Sequence, residues 1–212
     1  MDFRYLAIEG PVGSGKTLLA ERIGARIDAS LVIDEQENPF FDDFHAGRAG
    51  AAFQAQLFYL LARHRQQTSI RQGDLFAQAT IADYLFDRDR IHAFLNLDDN
   101  ELFIYQRLYE LLAADVPAPD LVIYLQSPTD IIKKRLKDRA RRDPENTRAI
   151  DDEYLRELNE AYNHFFFHYT STPLLVVETS NVDVSWGDGV VDDLLKQIKA
   201  MGGGTRYYVP RS

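Results

Sequence analysis

Short apolar runs alternate along this chain with longer segments whose apolar residues return every three or four positions. Phe3 to Glu9 reads as a strand, followed by a glycine-rich turn and a helix from about Lys16 to Ile27. Leu31 to Ile33 is a short buried strand. From Ala51 to about Gln67, Phe53, Leu57, Leu60 and Leu61 keep the helical period. Leu75 to Ala79 reads as a weak strand, Ile81 to Leu95 and Asp98 to Ala114 as helices, and Leu121 to Leu125 as a clear strand introduced by Pro117 and Pro119. The next helix is expected to start at a Ser127 cap, with Pro128 in the first helical position and Asp130 completing an S-x-x-D box. Asp151 caps the helix after it, with Ile150 and Leu155 spaced as a hydrophobic staple. Leu174 to Val177 is a last strand and Val190 to Met201 a last helix. Strands alternating with helices predict an α/β fold: a five-stranded parallel sheet covered by helices on both faces, in one domain spanning 1–212. Gly202-Gly203-Gly204 reads as a hinge, and the tail from about 202 to 212 as a flexible terminus with an apolar end.

Composition narrows the classes of partner. With 212 residues, 45% hydrophobic and 27% charged, the chain is globular rather than disordered or coiled-coil. Lys and Arg number 24 against 33 Asp and Glu, a net charge of −9. That balance argues against a nucleic-acid polymer or an anionic membrane as partner. A small anionic substrate stays open, because a local basic pocket can oppose the global sign. Cysteine is absent, which removes disulfide and thiolate chemistry. The start Met1-Asp2-Phe3-Arg4-Tyr5 lacks the form of a secretion signal, and no apolar run approaches the ~20 residues that cross a bilayer. The expectation is a soluble, cytoplasmic protein.

Gly10-Pro11-Val12-Gly13-Ser14-Gly15-Lys16-Thr17 carries the sharpest chemical signal. It satisfies G-x-x-x-x-G-K-[ST] in full, directly after a predicted strand and at the start of a predicted helix, the context of a P-loop NTPase-like fold. Glycines let backbone N–H groups converge on phosphate oxygens, and the helix N-terminus adds a partial positive charge. Lys16 can reach the β- and γ-phosphates of ATP, and the Thr17 hydroxyl can ligate Mg²⁺. A switch or motor NTPase wants an apolar strand ending in an acid, but Leu121–Leu125 leads into Gln126-Ser127, and no guanine-reading N-K-x-D occurs. A small-molecule kinase is favoured.

The acceptor side begins after the second strand, at Asp34-Glu35-Gln36-Glu37-Asn38-Pro39-Phe40-Phe41. A carboxylate at the C-terminal end of a parallel strand lies where such sheets bind ligands, and can take the proton of an attacking hydroxyl. Further motifs follow in order: Ala52-Phe53-Gln54-Ala55-Gln56-Leu57-Phe58-Tyr59-Leu60, Asp83-Tyr84-Leu85-Phe86, Pro119 through Leu125, an Arg-rich run at 135–142, and Tyr154-Leu155 through Asn163. Together with the phosphate loop they resemble the deoxyribonucleoside kinase family, in particular its bacterial deoxyadenosine/deoxyguanosine kinase type, over nearly the whole chain.

The resemblance implies ATP- and Mg²⁺-dependent phosphorylation of the 5′-hydroxyl of a deoxyribonucleoside, a purine one by subgroup, for nucleotide salvage by a homodimer. The family's base falls on Asp34 or Glu35, and its base-reading glutamine on Gln56, with Phe53 on the same helix. Two departures stand out. The family's sugar-contacting Tyr position holds His45, and its acid-Arg-Ser after the third strand maps to Ala77-Gln78-Ala79, so the expected Arg and acid are missing there. Asp83 is the nearest carboxylate, and Arg63 or Arg90 is a candidate substitute for the cation.

Lys133 through Arg142 is a basic block in an acidic protein, followed by Asp143-Pro144-Glu145. In the resembled family such a run is a lid, here about 137–149, that closes over ATP and excludes water. Arg135, Arg139 and Arg141 are the best matches to its phosphate-binding arginines, and Glu145 to the lid acid near the sugar. His164 and His168 share a helix face without the Glu of H-E-x-x-H, and read as packing residues rather than zinc ligands. Two other readings compete: a nucleoside monophosphate kinase of thymidylate kinase type, against which its missing Asp-Arg pair and Arg-Glu-Pro segment weigh, and a nucleotide-binding module without transferase activity.

Overall fold

The computed structural model describes residues 3–34, 37–70, 79–144 and 150–210. Six strands form one parallel sheet: β1 (Tyr5–Glu9), β2 (Ala29–Val32), β3 (Ala79–Ala82), β4 (Leu121–Gln126), β5 (Leu174–Glu178) and β6 (Thr205–Tyr208), in the order β2-β3-β1-β4-β5-β6. Eight helices connect or flank them among the described residues: α1 (Lys16–Ile27), α2 (Phe41–His45), α3 (Ala51–Ser69), α4 (Arg88–Asn96), α5 (Asp99–Ala113), α6 (Thr129–Arg142), α7 (Asp152–Phe167) and α8 (Asp188–Lys199).

Successive side chains on each strand leave for opposite faces of the sheet, and those two apart share a face. Leu6 and Ile8 of β1, with Leu121, Ile123 and Leu125 of β4, pack under α1 and α8 through Leu19, Ile23, Val191 and Leu194. Ala7, Val122, Tyr124 and Val176 face the other way, against Ile91 of α4 and Leu158, Tyr162 and Phe166 of α7. A third cluster, around Leu60, Phe86, Tyr105 and Tyr109, ties α3 and α5 to α4. Burial on both faces is why the central strands are almost wholly apolar.

Several sequence expectations shift. The third strand is Ala79–Ala82 rather than Leu75–Ala79, and the helix expected from Ile81 starts only at Arg88. Residues 71–78, including Ala77 and Gln78, lie outside the described set. The sheet has a sixth strand where a flexible tail was expected: Leu174 N–H donates to Gly204 O at 3.0 Å, and the Tyr208 hydroxyl donates to Asp193. Pairing of Thr205–Tyr208 with β5 explains the order, because it satisfies backbone groups that a loose tail would leave to water. Ser127 does not cap α6. Pro128 occupies the cap position, and the buried Ser127 hydroxyl pairs instead with Thr179. Asp151 caps α7 as expected, accepting from Glu153 N–H and Tyr154 N–H. Asp98 closes a full capping box with Glu101 on α5.

Candidate active site

The strand order places β1 between β3 and β4, so the C-terminal ends of these three strands converge where connections leave for opposite faces, the usual ligand crevice of such sheets. The phosphate loop leaves β1 there. Gly13 (φ 79°) and Gly15 (φ 89°) take left-handed conformations that a Cβ would strain. α1 opens at Gly15 with no side-chain cap and no acidic residue in its first turn, unlike α5 and α7. Its first N–H groups and dipole therefore face the crevice unneutralised. Ser14 Oγ, fully buried in the loop, hydrogen-bonds to no protein atom.

A cleft of about 600 Å³ opens over this loop, lined by Gly13, Gly15, Lys16 and Thr17, by Arg88, and by the inner face of α6. Lys134, Arg135, Arg139 and Arg142 line it, whereas Asp138, Asp143 and Asp183 are its acids. The positive lining in a chain of net charge −9 is the local reversal that a triphosphate needs. Burial, and next the repulsion of Arg88, lower the Lys16 ammonium from 10.5 to about 8. Pro11 O accepts from Lys16 Nζ at 3.3 Å.

The carboxylates sit across from this lining. Asp34 follows β2 and is gripped by two arginines: Arg63 donates from Nε to Oδ1 (3.1 Å) and from Nη2 to Oδ2 (2.8 Å), and Arg88 Nη1 donates to Oδ2 (2.8 Å). Burial alone would raise its pKa, but Arg88 and then Arg63 overcome it and hold the carboxyl at about 2. Arg63 also donates to the buried Asp89. Asp83, at the end of β3, accepts from Asp34 N–H at 2.9 Å and from Thr17 Oγ1 at 2.5 Å. It thus joins the phosphate loop to the acid loop. Glu9, fully buried at the end of β1, accepts from Gly10 N–H (2.8 Å) and Leu85 N–H (2.9 Å). Burial raises its pKa, and Arg88 and Lys16 oppose that rise.

The predicted residues fall into three groups. Gly10, Pro11, Val12, Gly13, Ser14, Gly15, Lys16 and Thr17 form the loop, and Asp34, Asp83 and Arg139 stand around the same crevice. Gln56 is buried on α3, and its Oε1 has no protein partner, an acceptor open to a base edge. Phe53, one turn before it on α3, packs against the α3–α5 cluster. Arg135 lines the cleft, but its guanidinium is occupied within the protein, donating to Ser127 Oγ (2.9 Å), Thr179 Oγ1 (3.2 Å) and Val182 O (3.1 Å). Arg141 pairs with Asp138 at 3.4 Å, its side chain 80% exposed and outside the cleft lining. His45 is exposed at the end of α2, edge-on to Phe41. Glu35 and Glu145, and the lid beyond Pro144, lie outside the described residues.

The cation missing at position 78 has a geometric successor. Arg63, a suggested substitute, reaches Asp34. Arg90 does not: its side chain is 53% exposed and pairs with Asp87. Arg88, which the sequence reading passed over, reaches both Asp34 and the cleft. Glu9 was missed as well. Its signal was available, because an acid closing an apolar strand before the loop must find partners once buried.

Comparison with known proteins agrees with this arrangement. The family model for deoxynucleoside kinases matches residues 6–201. A deoxyguanosine kinase of Bacillus subtilis (strain 168) is 30% identical over 160 residues, covering 74% of this chain and 76% of that protein. A deoxyadenosine kinase of Dictyostelium discoideum is 29% identical over 198 residues, covering 92% and 77%. A structure of deoxyadenosine kinase from M. mycoides with bound dCTP shares the fold, with TM-score 0.73 at 23% identity over 93% of this chain and all of that one. Neither the monophosphate-kinase reading nor the non-catalytic one is favoured by these likenesses. The chain belongs to the deoxynucleoside kinase family: it is a phosphotransferase acting on deoxynucleosides.

Proposed function

We propose that the enzyme transfers the γ-phosphoryl group of ATP to the 5′-hydroxyl of a purine deoxyribonucleoside, with Asp34 as the group that orients and deprotonates that hydroxyl. The observation carrying this reading is the Asp34 carboxylate held by Arg63 and Arg88 beside Lys16. A carboxylate at about 2 is a weak base. In a loose phosphoryl transfer the hydroxyl becomes acidic only as its bond to phosphorus forms, so early work falls to orientation and late work to proton acceptance.

Lys16 and Arg139 oppose the β- and γ-phosphate charge, and Arg88, whose Nε has no protein partner, offers a donor to the transferring group. Thr17 Oγ1 and the Asp83 carboxylate are hard oxygen donors side by side, a pair that fits Mg²⁺ bound largely through phosphates and water. Bound there, the metal would neutralise phosphate charge. Gln56 reads the base edge, with Phe53 behind it, and the names of the relatives support a purine.

The enzyme works as a homodimer in the cytoplasm. In support of the dimer, Leu61 of α3, Phe94 of α4 and Phe103, Ile104 and Leu111 of α5 are at least half exposed. Among the described residues no helix is long and apolar enough to cross a membrane.

A steady-state assay with ATP, Mg²⁺ and each deoxynucleoside tests the reading. The expected product is a purine 5′-monophosphate. Turnover confined to pyrimidine nucleosides would sink the purine assignment. Sedimentation at assay concentration tests the dimer, and a monomer there rejects it.

A further inference from the structure

The loop between β5 and α8 runs beside the phosphate loop and carries the chain's single tryptophan. Trp186 is fully buried, yet its backbone adopts φ 51°, an outlier for a bulky side chain. The conformation is held by a turn in which Trp186 N–H donates to Asp183 O (3.0 Å) and Ser185 N–H to Asp183 Oδ1 (3.0 Å). Its result is that the indole Nε1 donates to Gly15 O at 2.9 Å. The same carbonyl accepts Leu19 N–H at 3.1 Å, the first hydrogen bond of α1.

A peptide unit is planar and trans, so its C=O and N–H point in opposite directions. Fixing the Gly15 carbonyl along the α1 axis therefore aims the Lys16 N–H out of the helix into the crevice. The contact is close: a Cβ on Gly15 would come within 2.9 Å of Trp186 Nε1 and 3.0 Å of Val184 Cβ. The other end of the same loop is tied to α6, where Arg135 donates to Thr179 O and to Val182 O. Val182, Asp183 and Val184, between these ties, line the nucleotide cleft.

We infer that Trp186 is a positioning residue for phosphoryl-donor binding: its indole N–H sets the Gly15–Lys16 peptide so that the Lys16 N–H meets a phosphate oxygen, and the 179–187 loop couples that peptide to α6. The inference rests on the reading that the phosphate loop holds ATP. A phenyl ring fills most of the indole's space but cannot donate, so the hydrogen bond is separable from the packing.

The test is Trp186→Phe in the full-length enzyme, with KM for ATP, KM for the nucleoside and kcat measured separately. The expected result is a KM for ATP raised about three- to tenfold, with nucleoside KM and kcat within about twofold of wild type. An unchanged KM for ATP, or both KM values rising together, overturns it. If the variant does not fold, wild-type fluorescence decides, because no second tryptophan contributes. An emission change on saturating ATP that deoxynucleoside alone does not produce supports the inference, and an emission unmoved by ATP overturns it. Wild-type turnover with ATP is measured first, so that failure of the ATP reading is seen separately.

Discussion

The two sides of the crevice are built on different plans. On the phosphate side, loop, lysine and helix N-terminus are contiguous from Gly10 to Thr17, and backbone geometry does most of the work. On the acceptor side, Asp34 depends on Arg63, 29 positions away, and on Arg88, 54 away, while Thr17 and Asp83 meet across 66. A local device holds its shape wherever its strand and helix form. A long-range device exists only when two strands and three helices, β2, β3, α1, α3 and α4, are all in place, so its residues carry stability and chemistry together.

Changes at the acceptor side should therefore damage both properties, and changes at the donor side chemistry alone. The largest expected effect is from Asp34→Asn, which leaves two buried guanidinium groups without their shared anion. Turnover should fall by about 10²–10⁴, and unfolding free energy by about 3–5 kcal/mol, read by steady-state rates and by denaturant titration. A variant as stable as wild type would erase the distinction between the two sides. Lys16→Ala should lower turnover by about 10²–10³ with a melting temperature near wild type.

Next comes the pH profile of kcat/KM for ATP, which reports the free enzyme. Lys16 must be charged, and its pKa is lowered to about 8, so the value should decline above that pH rather than near 10.5. Asp34 behaves oppositely: with a folded-state value of about 2, lowered from 3.8, its stabilisation is present above 3.8 and is lost as pH falls through 2. Acid unfolding should accordingly shift upward in Asp34→Asn. Smaller still, Arg139→Ala should raise KM for ATP about tenfold, and Arg141→Ala less than about twofold, since Arg141 points away from the cleft. Smallest for chemistry is Asp98→Ala, which removes a capping box about 0.5–2 kcal/mol in worth and should leave turnover untouched.

Legibility in the sequence follows the same division. The phosphate loop and α1 were readable to the residue, because adjacency in sequence is adjacency in space. The acid loop was readable as a place but not as a network. β3 was placed too early because Ala79-Thr80-Ile81-Ala82 has little apolar contrast, while Leu75-Phe76 just before it has more. That shift moved the search for the strand-end arginine onto 77–79 and away from Arg88, and left Asp83 as the nearest carboxylate rather than the strand-end acid. Arg90 was named and Arg88 missed for a related reason. Two residues apart on a helix they point about 200° from each other, and only the fold shows which faces Asp34. The sixth strand was hidden by its brevity and by the three glycines before it, and Ser127 looked like a cap because its true partner, Thr179, lies 52 positions on.

The uncapped start of α1 has a practical side. A helix end with no acid of its own attracts small oxyanions as well as nucleotides, so inorganic phosphate and sulfate compete for the seat of the ATP phosphates. The expected consequence is an apparent KM for ATP that rises with phosphate or sulfate in the buffer, checked by repeating the steady-state assay in a buffer free of both.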